Sequence, residues 1–188
     1  MRSLTARTSL GGLRHVTTPR RHQRPWSVQL AGLLAGHDAV VFSAGAGGGN
    51  PARTYAVDRD AAIRVIDATA RTDVKRFVMV SYFGAGPDHG VPRDDSFFAY
   101  AEAKAAADAH LRASGLDWTV LGPGRLTLEP ATGHIALGRG KGEVSRADVA
   151  LVVAAALADD STVGRTIDFN NGETPIARAL ASRRVRPG

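Results

Sequence analysis

The chain is predicted to fold as an α/β domain, with a parallel sheet covered by helices on both faces. Three observations lead there. Short, continuous apolar runs end in glycine-rich breaks at three places. Segments with helical apolar spacing lie between them. Strand and helix patterns alternate from residue 39 onward, the order that a parallel sheet with crossover helices requires. In such sheets ligands bind outside the carboxyl ends of the strands, so the exits at 45–49, 84–86 and 122–124 are expected on one rim.

The elements follow in order. Ser27 can cap a short helix through Val28, Leu30, Leu33 and Leu34, closed by Gly36. Ala39 to Ala44 is an apolar run of the kind buried on both faces, and it stops in Gly45-Ala46-Gly47-Gly48-Gly49-Asn50-Pro51. A helix is expected from about Arg53 to Thr72, with Ala56, Ile63, Ile66 and Ala70 on its apolar face. Asp58 and Asp60 then lie near its start, where negative charge suits the helix dipole. A strand over 76–81 leads to a polar loop over 83–95 and a helix from about Ser96 to Ser114, stopped by Gly115.

Trp118 to Leu121 form the next strand, which enters Gly122-Pro123-Gly124. Residues 132–144 suit a small hairpin or edge strand. Ser145 and Asp148 resemble a capping box opening a helix through Val149, Val152, Val153 and Leu157. Thr166 to Phe169 is a last short strand, Asn170-Asn171-Gly172 a turn, and Pro175 to Leu180 a short helix.

Composition narrows the chemistry. With 188 residues there is room for one domain with a sizeable core. There is no cysteine, which excludes a disulfide framework, a thiolate metal site and a cysteine nucleophile. No apolar run is long enough for a membrane span, and the expected compartment is the cytoplasm. The net charge of +6 resides at the ends. Residues 1–37 carry six arginines and no acid, and Arg178, Arg183, Arg184 and Arg186 repeat the bias at the other end. A basic tail can meet phosphate backbones without reading sequence, but only Trp26 interrupts those arginines, so no specific nucleic-acid binding is expected. His110 and His134 lack a second ligand at metal spacing, and Asp94-Asp95 reads as a solvated pair. Arg125 stands just after the rim glycines, where an anionic ligand group or a surface ion pair could engage it.

The chemistry-bearing stretch runs from Lys75 to Lys104. An apolar burst, Phe77 to Val80, lands on Ser81, and Tyr100 and Lys104 follow one helical turn apart on one helix face. A strand-end hydroxyl facing that pair is a candidate proton-transfer site. The bland reading makes Tyr100 a ring packed on the sheet and Lys104 a solvated cation.

These residues resemble the short-chain dehydrogenase/reductase superfamily, in particular its small, atypical NAD(P)-binding branch that also holds NmrA-like regulators. The resemblance rests on Asp38 to Gly45, Val74 to Ser81, Tyr100-Ala101-Glu102-Ala103-Lys104, Gly115 to Val120 with Pro123-Gly124, and Ser145 to Val149. It implies a Rossmann-like sheet holding NADP or NAD beside a small-molecule substrate of carbonyl type. By position Tyr100 becomes the acid/base and Lys104 its partner on the nicotinamide ribose, the lysine charge lowering the tyrosine pKa. Ser81 becomes the substrate-orienting hydroxyl. Ala44 and Gly45 approach the cofactor's ribose, and Pro123 and Gly124 its nicotinamide side.

Two departures qualify that expectation. Tyr82 occupies a position where such sites often carry a second small residue. The family also opens with a strand running into G-x-x-G-x-x-G, where backbone meets the pyrophosphate. Residues 1–26 show no apolar strand. They read as a basic leader (a disordered tail, an amphipathic transit segment, or a stretch foreign to the fold, the last favoured). Residues 27–180 then form a partial Rossmann-like domain with the N-terminal βαβαβ missing, and 181–188 a basic tail. On this reading strand 39–44 is an exposed edge open to self-association. The activity is that of an impaired reductase, with a non-catalytic NAD(P)-sensing regulator or an inert fragment as alternatives.

Overall fold

The computed structural model describes residues 26–181 apart from Gly48 and Arg139. The predicted basic leader and most of the basic tail therefore lie outside the described residues. The elements are α1 (Trp26–Leu34), β1 (Ala39–Phe42), α2 (Pro51–Thr54), a π-helical turn (Tyr55–Ala61), α3 (Ala62–Ala70), β2 (Arg76–Val80), α4 (Phe98–Arg112) and β3 (Asp117–Pro123). There follow β4 (Arg125–Thr127), β5 (His134–Leu137), β6 (Glu143–Ser145), α5 (Arg146–Ala158), a 3₁₀ turn (Asp160–Thr162), β7 (Arg165–Asn171), β8 (Thr174–Pro175) and α6 (Ile176–Ala181).

The main sheet has the order β1-β2-β3-β7-β5-β8. Its first four strands are parallel, with Val40 beside Phe77, Phe77 beside Trp118 and Leu121 beside Ile167. Side chains alternate across it. Phe77, Met79 and Val120 pack with Val40 and Phe42 against Ile66 and Leu111 of α3 and α4. Val78, Leu121, Ile167 and Phe169 pack on the opposite face against Val149, Val152, Ile176 and Leu180 of α5 and α6. The architecture is the predicted one: a mostly parallel sheet sandwiched between helices. Among the described residues no helix is long and apolar enough to cross a membrane.

Several expectations need correction. The run over 39–44 forms a strand only to Phe42, and it is not buried on both faces: Val41 is 41% exposed. It lies at one edge of the sheet, and α5, which packs over β2 and β3 on that face, leaves it open. The helix expected over 53–72 spans 51–70 and contains the π turn, so Ala56 and Ala70 face solvent while Thr54, Asp58 and Thr69 are buried. Residues 132–144 do not form a hairpin of their own. β5 pairs antiparallel with β7 and β8, and β6 leaves to join β4 in a separate two-stranded parallel sheet. Glycines with positive φ at 133, 138 and 140 let the chain change sheets there.

Asp148 ties this region together. Ser145 caps α5 by accepting from the Asp148 amide at 2.9 Å and donates its hydroxyl back to the Asp148 carboxylate at 2.9 Å. The same buried carboxylate accepts from the backbone N–H groups of Thr132 and Gly133 at 3.0 and 2.8 Å. Desolvation works to raise its pKa, but these backbone and hydroxyl donors outweigh it and hold the group below the usual carboxylate range. Its contribution to stability is therefore complete above the unfolded value of about 3.9 and fades as the pH falls through the folded one. Asp148→Asn is expected to lower stability near neutral pH by roughly 1 to 2 kcal/mol. The gap to wild type in urea midpoint should close below about pH 4; a gap of constant size would show that the charge is not what matters.

Candidate functional site at the carboxyl ends of the parallel strands

The exits of β1, β2 and β3 lie on one rim because the three strands are parallel and in register. α4 starts at that rim and runs back over β2. Four of its residues, Ala101, Ala103, Ala105 and Ala107, are buried. These small side chains, buried together with Lys104, Asp108 and Leu111, let α4 sit close enough for its polar side chains to reach the end of β2. Lys104, 2% exposed, donates from Nζ to the carbonyl of Val80 at 2.7 Å, the last residue of the strand. One turn nearer the rim, the Tyr100 ring lies 5.5 Å from the ring of Tyr82 and 5.1 Å from that of Phe97. Tyr100 and Lys104 therefore share the rim with the strand exits.

Ser81 is brought to the same place, though not to the open side. Its hydroxyl donates to Asp108 Oδ2 at 2.6 Å, and both residues are buried beneath the helix. Asp108 lies one turn beyond Lys104, so Tyr100, Lys104 and Asp108 form a single stripe descending from rim to core. The Asp108 position is readable from its spacing, but one of two acids in an alanine-rich helix gives no other signal.

Asp58 is the second residue the sequence did not reveal. In place of an exposed dipole partner, it is 1% exposed, and its Oδ2 accepts from the Ala46 amide at 3.0 Å, fixing the chain just past β1. The π turn, with its wider backbone bonding, rotates this carboxylate inward. Asp60 instead pairs with Arg59 at 2.7 Å near the surface. Arg125 is paired with Glu143 at the surface.

The electrostatics differ from expectation in one respect. Lys104 was expected to lower the pKa of Tyr100. The phenol is instead pushed above its ordinary value, by burial first and then by the charges of Asp58, Tyr82 and Asp108. Burial lowers the pKa of Lys104, opposed by Asp108 and Asp58. Burial also raises that of Asp108, opposed by the Ser81 hydroxyl and Lys104. Two carboxylates thus offset one cation, and Tyr100 remains a neutral phenol.

The rim has features that suit a polar ligand. Ala44 and Gly45 are exposed at the end of β1. A Cβ on Gly45 would lie 3.2 Å from Asp58 Oδ1, an oxygen that is buried and has no hydrogen-bond partner. The buried Tyr82 hydroxyl is likewise unpartnered. An acceptor and a hydroxyl left unsatisfied beside a lysine fit a ligand rich in hydroxyl and amide groups, such as the ribose and carboxamide of a nicotinamide nucleotide. Pro123 is buried, while the Cα of Gly124 is covered by the Asn170 side chain and by the Gly142 carbonyl, which a Cβ would meet at 2.5 Å. Among the described residues no cluster of three His, Cys, Asp or Glu could hold a metal ion.

Comparison with known proteins agrees with this geometry. Residues 24–160 match the profile of the family described as NAD(P)H-binding. The chain is 39% identical over 155 residues to the uncharacterized sugar epimerase YhfK of Bacillus subtilis, covering 81% of this chain and 72% of that protein. Among solved structures, a Bacillus halodurans protein provisionally named an NAD-dependent epimerase/dehydratase superposes with a TM-score of 0.74 at 34% identity, over 80% of this chain and 72% of the other. A short-chain dehydrogenase/reductase from Veillonella parvula, solved in complex with NADP, shares the fold at a TM-score of 0.57 and 19% identity, over 79% and 70%. The parallel sheet, the glycine-rich rim and these matches together show that the chain belongs to the NAD(P)H-binding family, with a Rossmann-like dinucleotide-binding domain.

Proposed function

We propose that the chain is an NAD(P)H-dependent reductase of a small carbonyl compound, its working unit being residues 27–180. The observation that carries this reading is the Tyr100–Lys104 stripe anchored on the Val80 carbonyl at the strand exits. When bound, the reduced nicotinamide supplies a hydride to the substrate carbon. Lys104 would hold the ribose hydroxyls, Ala44 and Gly45 would border the ribose, and the Pro123-Gly124 turn would lie on the nicotinamide side. Tyr100 donates its proton to the substrate oxygen as negative charge develops there. A phenol that burial keeps protonated is suited to give a proton in the reductive direction.

Ser81 enters this scheme through Asp108, which supports the floor under Lys104, and not as a direct contact to substrate. That bond also favours a second reading: a protein that binds the dinucleotide without turning it over, since the strand-end hydroxyl is engaged internally.

Titration of the full chain with NADPH and NADH, followed by nicotinamide fluorescence, tests the cofactor half of both readings. Enhancement saturating in the micromolar range is expected for at least one of the two. No enhancement at millimolar cofactor would remove the basis of both. Oxidation of the bound cofactor by small carbonyl compounds then separates reductase from sensor.

A further inference from the structure

Resting on the reductase reading, we propose that Tyr82, Phe97 and Tyr100 form the substrate wall of this site and that the substrate is a flat, uncharged aromatic carbonyl compound, not a nucleotide-linked sugar. The three rings are in mutual contact: Tyr82 to Phe97 at 5.2 Å edge to face, Tyr82 to Tyr100 at 5.5 Å, and Phe97 to Tyr100 at 5.1 Å. They come from two elements, the β2 exit and the start of α4, and they converge at the phenol that would deliver the proton. Phe97 is 42% exposed, so part of an aromatic surface is presented to solvent at the rim. Planar aromatic ligands gain from offset or edge-on contact with such rings as well as from burial.

Charge argues against a phosphorylated substrate. The loop 83–97 carries Asp88, Asp94 and Asp95 against a single arginine, Arg93. All three aspartates are exposed. The amino end of α4, which could otherwise attract a phosphate, is already answered by acid: Asp95 Oδ1 accepts from the Phe97 amide at 2.8 Å, and the Asp95 carbonyl accepts from Phe98 N–H at 3.0 Å. A diphosphate linked to a sugar would meet that carboxylate directly beside the wall. A neutral ring system meets no such repulsion.

The reaction balances as a two-electron reduction. The nicotinamide gives a hydride and is oxidised, and the carbonyl carbon gains the hydride while its oxygen takes the Tyr100 proton. The phenol is reprotonated from water.

The test uses the intact chain with 9,10-phenanthrenequinone and UDP-glucose as probes, binding being read by saturation-transfer NMR alongside NADPH affinity. Because the chain has no cysteine, the quinone forms no thiol adduct that could mimic binding. Wild type should bind the quinone and not UDP-glucose. Phe97→Ala, at a half-exposed position, should retain the fold and NADPH affinity while weakening quinone binding about tenfold, and Phe97→Trp should preserve it. Tighter binding of UDP-glucose, or quinone binding indifferent to Phe97→Ala, overturns the assignment even if NADPH binds. Quinone binding that depends on Phe97 in a protein that takes up neither NADPH nor NADH would leave the wall standing and defeat the reductase reading.

Discussion

Tyr100→Phe is expected to reduce the rate of carbonyl reduction by about a thousandfold while leaving NADPH affinity within about twofold of wild type. The substitution removes one hydroxyl and keeps the ring against Tyr82 and Phe97, so the wall, the helix and Lys104 stay where they are. Only the proton is lost. The pH profile adds a sharper readout. Since burial and Asp58 raise the phenol above its ordinary value, wild-type reduction should show no decline from tyrosine ionisation up to about pH 10. A bell whose alkaline limb falls near neutrality and vanishes in Tyr100→Phe would mean that Lys104 governs the phenol after all. An unchanged rate in the variant would leave only the sensor reading.

The other large effect is on stability. Gly124→Ala is expected to cost about 2 to 3 kcal/mol, or roughly 5 to 10 °C in Tm. The added methyl would meet the Gly142 carbonyl at 2.5 Å as well as the Asn170 side chain. The asparagine could rotate away, but the carbonyl is backbone, and it already accepts from the Arg125 amide at 2.8 Å. Relief therefore requires moving the β4–β6 pair against the end of β3. Gly86→Ala is the control: it lies on the same rim with nothing within 4 Å of an added Cβ, and its effect should be within about 0.5 kcal/mol. Similar losses in the two variants would show that rim glycines matter for chain flexibility and not for close approach.

Much of the architecture was legible because its signals are local. Apolar runs such as Phe77 to Val80 announce strands whatever surrounds them, and their glycine-rich ends announce the rim. The Tyr100–Lys104 spacing gave the helix face directly. What escaped depended on partners distant in sequence. Asp58 reads from the sequence as a charge suited to a helix dipole, and nothing local announces the π turn in which it is buried. Ser81 was assigned to substrate because Asp108, 27 positions away, was not seen as its acceptor. Residues 132–144 read as a small hairpin or an edge strand, since sequence neighbours often pair, yet Val144 lies beside Leu126 of β4. The apolarity of Val41 suits a strand covered on both faces, yet its exposure agrees with the edge position expected for strand 39–44.

The row of alanines in α4 makes the thickness of one layer into a chemical parameter. A lysine side chain has a limited reach, so its ammonium meets the Val80 oxygen only while the helix axis stays near its present clearance from the strand. Any bulkier residue at Ala103 or Ala107 would lift Tyr100, Lys104 and Asp108 as one rigid comb. A proton donor, a ribose clasp and their counter-charge would go out of alignment together, without one of the three having been altered.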